Sequence, residues 1–126
     1  PSFIAKQISS KITVIKEGNI SPLIRSCDLM IVTDLSSPIL DAHILQRPVI
    51  SLSIKDNGWG IPTAFKNNSC LVTDLEKLDG DLKSVLNNER VKNQLIINGT
   101  KSSKEYLSYQ NNGSKELIKF LEKLVN

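Results

Sequence analysis

Residues 29–52 read LMIVTDLSSPILDAHILQRPVISL, two short β-branched apolar runs on either side of a helical pattern. The outer runs, 29–33 and 48–53, are too short for helices. They also lack the polar alternation of a half-buried strand, as expected of strands covered on both faces of a parallel sheet. Between them, Ser37 is a favoured N-cap type and Pro38 suits the first helical position, where its missing N–H costs nothing.

The same punctuation extends outward. KITVI at 11–15 reads as an earlier strand, followed by SPLIRSCD with Ser21 as cap and Pro22 opening a helix; CLVT at 70–73 reads as a later strand. Two successive Ser-Pro helix starts after strands indicate βαβ units rather than a β-sandwich. Beyond residue 73 the apolar spacing turns helical, with Leu78, Leu82, Val85 and Leu86, then Val91, Leu95 and Ile96. After a QNNGS turn, Leu117, Ile118, Leu121, Leu124 and Val125 form a final stripe. The expectation is an α/β, Rossmann-like layered domain: a mostly parallel sheet of about four strands flanked by helices, with a helical C-terminal tail.

At 126 residues and net charge +3, one domain with a real core is the natural count. The lysines are scattered and aromatic residues sparse, which argues against a nucleic-acid partner. No apolar stretch approaches the length of a membrane span. Cys27 and Cys70 lack metal or redox spacing and sit at the edges of apolar runs, so they read as buried free thiols in a reducing, cytoplasmic setting. His43 is the only histidine and reads as structural, since one imidazole without partners builds no metal site.

Two places could carry chemistry. A helix beginning near Ser37 would direct its first amides and positive dipole end at the carboxyl edge of the sheet, where an anion could also meet the hydroxyls of Ser36 and Ser37. Asp41 lies one turn on, roughly 6 Å along the axis. A carboxylate beside phosphate is repelled but accepts hydroxyl hydrogen bonds well, which favours a sugar partner for Asp41. The plain alternative is a helix cap. The second place is the aperiodic segment 54–69, IKDNGWGIPTAFKNNS, whose Lys55, Asn57, Gly58 and Trp59 make a candidate substrate loop at the same edge. A surface loop pinned by Trp59 is the other reading.

The stretch LIRSCDLMIVTDLSSPILDAHILQRPVISL resembles the C-terminal domain of GT-B-fold nucleotide-sugar enzymes, in particular UDP-N-acetylglucosamine 2-epimerases and CDP-glycerol glycerophosphotransferases. The resemblance covers about residues 10–75, and the helical tail loosely. It implies that Ser36 and Ser37 hold a nucleotide diphosphate, that Asp41 meets the ribose, and that Lys16, Glu17 and Gly18 line the base. It implies a UDP- or CDP-linked donor as substrate, with no metal and no resident cofactor. It also implies that residues 1–126 are one nucleotide-binding domain, the C-terminal part of a larger protein with an N-terminal acceptor domain. The fragment alone would be inactive, and its parent a glycosyltransferase, glycerophosphotransferase or UDP-sugar epimerase. Several positions depart from the family pattern. Asp41 is shorter than the usual glutamate, Gln46 and Arg47 replace the small residue before Pro48, and KDNGWG lacks the epimerases' arginine and glutamate. With earlier family strands missing ahead of KITVI, an open apolar edge makes a homodimer the expectation. The competing class is a receiver-like or flavodoxin-like regulatory domain. Asp34 stands where a phosphoacceptor would, but only Glu17 is available for the acidic cluster, and no Ser/Thr-rich phosphate loop follows the first strand.

Overall fold

A computed structural model describes residues 11–55, 67–107 and 112–125. In chain order these form α1 (Ile20–Ser26), β1 (Met30–Thr33), α2 (Pro38–Ile44), β2 (Val49–Leu52), β3 (Leu71–Thr73), α3 (Leu78–Asn87), α4 (Glu89–Tyr106) and α5 (Gly113–Val125).

The three strands make one parallel sheet in the order β1-β2-β3. Register runs from Met30 opposite Val49 to Thr33 opposite Leu52, and Ile50 lies opposite Leu71. The strand period of two sends alternate residues to opposite faces. On one face Val32, Val49 and Cys70 pack with Ile24 of α1 and with Ile39 and Ala42 of α2. On the other, Ile50 packs with Val85 of α3 and Leu95 of α4, joined by Leu71, Leu78, Leu82 and Val91. The result is helices on both sides of a sheet, and the central strand is the most deeply covered: Val49 and Ile50 are 0% exposed. Burying side chains of that size contributes roughly 1.5–3 kcal/mol each. This double cover is why the β2 run is apolar without alternation.

The sheet has three strands among the described residues, not about four. Residues 12–16 adopt no regular structure, and Ile12, Val14 and Ile15 are exposed. Strand propensity measures fit to a pleated, half-buried surface. With its apolar side chains left 39–55% exposed, this run lacks the half-buried pairing surface of a strand. The strands at 29–33, 48–53 and 70–73 are all present with slightly trimmed ends.

Helix ends correct two further expectations. The cap of α1 is Asn19, whose Oδ1 accepts from the Ser21 amide at 3.0 Å, so Ser21 and Pro22 lie inside the first turn. Ser37 does occupy the cap position of α2, with Pro38 next, but its backbone is already helical (φ −58°, ψ −35°) and its side chain makes no capping bond. α2 ends in a left-handed turn at Gln46 (φ 55°). There the amide of Arg47 donates to Ala42 O (2.8 Å) and that of Gln46 to His43 O (3.2 Å), the paired bonds of a Schellman motif. α5 is formed as expected but buries none of its residues.

Candidate functional site at the carboxyl edge of the sheet

The turn leaving β1 is held from three sides. Asp34 sits at φ 49°, a left-handed conformation that Asp tolerates better than most side chains. Its amide donates to Leu52 O (2.9 Å), its carbonyl accepts from Ser51 Oγ (2.8 Å), and its Oδ1 accepts from the Ile54 amide (3.2 Å). One residue therefore fastens the end of β1 to the end of β2. Its carboxylate serves this junction, so the phosphoacceptor geometry of a receiver domain is not what engages it here.

Ser36 and Ser37 follow directly. The amides of Ile39 and Leu40 are taken up by Ser36 O (3.1 Å) and Ser37 O (3.2 Å), and Pro38 has none. The donors that this helix end presents are therefore the amides and hydroxyls of Ser36 and Ser37 themselves. Ser36 is half-buried and Ser37 exposed; Asp41 is exposed one turn further along. Since α2 has only seven residues, these local donors matter more than its short dipole.

Lys16, Glu17 and Gly18 are exposed ahead of α1. Gly18 has φ 135° and no heavy atom within 4 Å of a built Cβ, so backbone conformation rather than crowding requires glycine there. Arg47, just before β2, donates from Nη2 to Arg25 O at 2.6 Å, which ties the last turn of α1 to the amino edge of the sheet. The first turn of α1 consequently points toward the carboxyl edge, on the side of Ser36 and Ser37. Lys55 is exposed just past β2. Asn57, Gly58 and Trp59 lie outside the described residues.

Sequence reasoning missed a second acidic turn at this edge. Thr73 Oγ1 donates to Asp81 Oδ2 of α3 at 2.6 Å. Asp74 Oδ1 accepts from the Lys77 amide at 2.9 Å, and that hydrogen bond is the main reason its carboxyl sits below the usual range. The signal was present as a repeated tripeptide: Val-Thr-Asp closes both β1 (32–34) and β3 (72–74). Among the described residues no group of three or more His, Cys, Asp or Glu could hold a metal ion.

The opposite edge carries His43, 2% exposed in the last turn of α2. Its Nε2 lies 3.1 Å from Ser69 O and 3.6 Å from Cys70 Sγ. The carbonyl can only accept, so Nε2 carries the hydrogen, which leaves Nδ1 bare and without a partner. Burial lowers the imidazole pKa below 6.5 and pushes the Cys70 thiol up to about 11. Both groups are uncharged near neutrality, the reverse of a thiolate–imidazolium nucleophile. His43 is thus buried and held by a backbone carbonyl; Cys70 is buried, whereas Cys27 is only half-buried.

Comparison of the chain with family models, curated proteins and solved structures finds no match. Among the described residues no helix is long and apolar enough to cross a membrane.

Proposed function

We propose that the chain is the donor-binding half of a GT-B-type glycosyltransferase or related nucleotide-sugar enzyme, built on a Rossmann-like layout. In this reading the diphosphate of a UDP- or CDP-linked donor meets the amides and hydroxyls of Ser36 and Ser37. Asp41 accepts hydrogen bonds from the ribose hydroxyls, and Lys16, Glu17 and Gly18 face the base. Lys55, just past β2, lies toward the transferred group. The chain supplies binding and orientation; the acceptor and the reacting groups come from a partner domain of the same protein. The activated donor is itself the substrate, so no resident cofactor enters the scheme.

The supporting observation is the uncapped helix start at the carboxyl edge of a parallel sheet covered on both faces, the edge where ligands of such sheets bind. The Ser37 hydroxyl is not consumed by the helix it precedes, so a ligand would not have to displace a cap. Titration with UDP, CDP and inorganic pyrophosphate, followed at the backbone amides of residues 34–42, tests the reading. The expected result is saturable shifts centred on residues 36 and 37, weakened in Ser37→Ala. Asp41→Asn should weaken the nucleotides and spare pyrophosphate. Absence of shifts with all three ligands would sink the proposal, as would shifts confined to other elements.

A further inference from the structure

We propose that α5 is a dimerisation helix, which pairs antiparallel with α5 of a second copy of this chain. All of its large apolar side chains face solvent: Leu117, Ile118, Phe120, Leu121, Leu124 and Val125 are each at least 49% exposed. At 3.6 residues per turn, Leu117, Ile118, Leu121, Leu124 and Val125 fall on one stripe, with Phe120 at its margin. A stripe of this kind is normally covered, and among the described residues none of it is buried.

The charges along the helix indicate what covers it. Lys119 is satisfied within the helix by Glu116, at 2.8 Å. Lys115 and Glu122 are exposed, and neither takes part in an ion pair among the described residues. They lie seven residues apart, almost two full turns, and so share one flank of the stripe, bordering Ile118 and Val125. α5 spans residues 113 to 125, which puts its midpoint at 119, while Lys115 and Glu122 stand on either side of that midpoint. When two such helices overlap fully in antiparallel fashion, equal flanks face each other and Lys115 comes opposite Glu122 of the partner. Two-fold symmetry repeats the pair at the other end. The two apolar stripes close on each other between these pairs. A basic target peptide or an anionic lipid surface would use only half of this arrangement.

Sedimentation equilibrium of the whole chain, from micromolar to sub-millimolar concentration, tests the proposal. The expected result is a reversible monomer–dimer equilibrium. Leu121→Asp should weaken it by about a hundredfold or more, because two buried leucines are lost per dimer. That variant should keep the thermal unfolding of the α/β body, since α5 contributes nothing to the core. Lys115→Glu and Glu122→Lys alone should each weaken the dimer by about tenfold, as two attractive pairs become repulsive. The double variant Lys115→Glu/Glu122→Lys should restore it. A chain that stays monomeric throughout would overturn the proposal, and so would a dimer that survives Leu121→Asp. Failure of the double variant to recover would overturn the antiparallel arrangement. A monomer that sediments with anionic phosphatidylserine vesicles would instead assign the stripe to lipid.

Discussion

A Cβ built on Gly99 of α4 would stand 2.5 Å from Cδ2 of His43 on α2. That is closer than carbon atoms tolerate, and the imidazole has no room to retreat because it is buried and tied to Ser69 O. The two helices approach as closely as they do because position 99 has no side chain.

Gly99→Ala should therefore destabilise the fold by about 1–2 kcal/mol, even though alanine is the better helix former. Gly80 of α3, with no heavy atom within 4 Å of its built Cβ, provides the contrast. Gly80→Ala should be neutral or stabilising by up to about 1 kcal/mol. Urea unfolding of both variants checks the pair. Adding His43→Ala to Gly99→Ala should cost less than the two single losses summed, because the clash is then gone.

The buried imidazole also sets a pH dependence. Its folded pKa lies below the ordinary 6.5, so between the two values the unfolded chain binds a proton that the folded chain does not. Stability from this group is complete above about pH 6.5 and falls as pH drops toward the folded value, with a slope of up to about 1.4 kcal/mol per pH unit. Asp74, whose carboxyl is held below its ordinary 3.8, loses its contribution only in a lower window. Unfolding measured between about pH 7.5 and 5 should show the slope, and His43→Gln should flatten it.

At Asp34 the left-handed backbone and the side-chain bond act together. Asp34→Asn keeps both the left-handed tolerance and an oxygen for the Ile54 amide, and should be nearly neutral. Asp34→Ala loses both and should cost about 1–2 kcal/mol. Equal stabilities in urea unfolding for the two variants would mean that neither the left-handed tolerance nor the Asp34–Ile54 bond contributes.

Gln46 occupies the left-handed position of the Schellman turn, where glycine pays no steric penalty. Gln46→Gly should stabilise the chain by roughly 0.5–1 kcal/mol in thermal or urea unfolding. The neighbouring Arg47 should keep its bond to Arg25 O, because the backbone of the turn is unchanged.

The parallel core was legible because its central strand β2 is covered on both sides, and double burial writes itself into sequence as an unbroken apolar run; Ile31 of β1 and Val72 of β3 stay half exposed although their runs read the same way. KITVI carries the same composition without the cover, and composition alone does not tell the two apart. Ser37 was readable as a helix start but not as an uncapped one, since that depends on the i→i+3 bonds made by Ile39 and Leu40. The links from Asp34 to Ile54 and from Thr73 to Asp81 join residues 20 and 8 positions apart, a relationship that no local pattern encodes. Nothing in the sequence around Gly99 signals its role, which comes from its spatial neighbour His43 alone.

The bond from the Asp34 carboxylate to the Ile54 amide also makes one mechanical unit of the two strand ends. With Ser51 and Leu52 already tied to the Asp34 backbone, the chain leaving β2 stays attached to the Ser36–Ser37 turn for two residues past the strand. A displacement of the chain at Ile54 is therefore passed through Asp34 to the serine turn, and strain at one strand end is shared by the other.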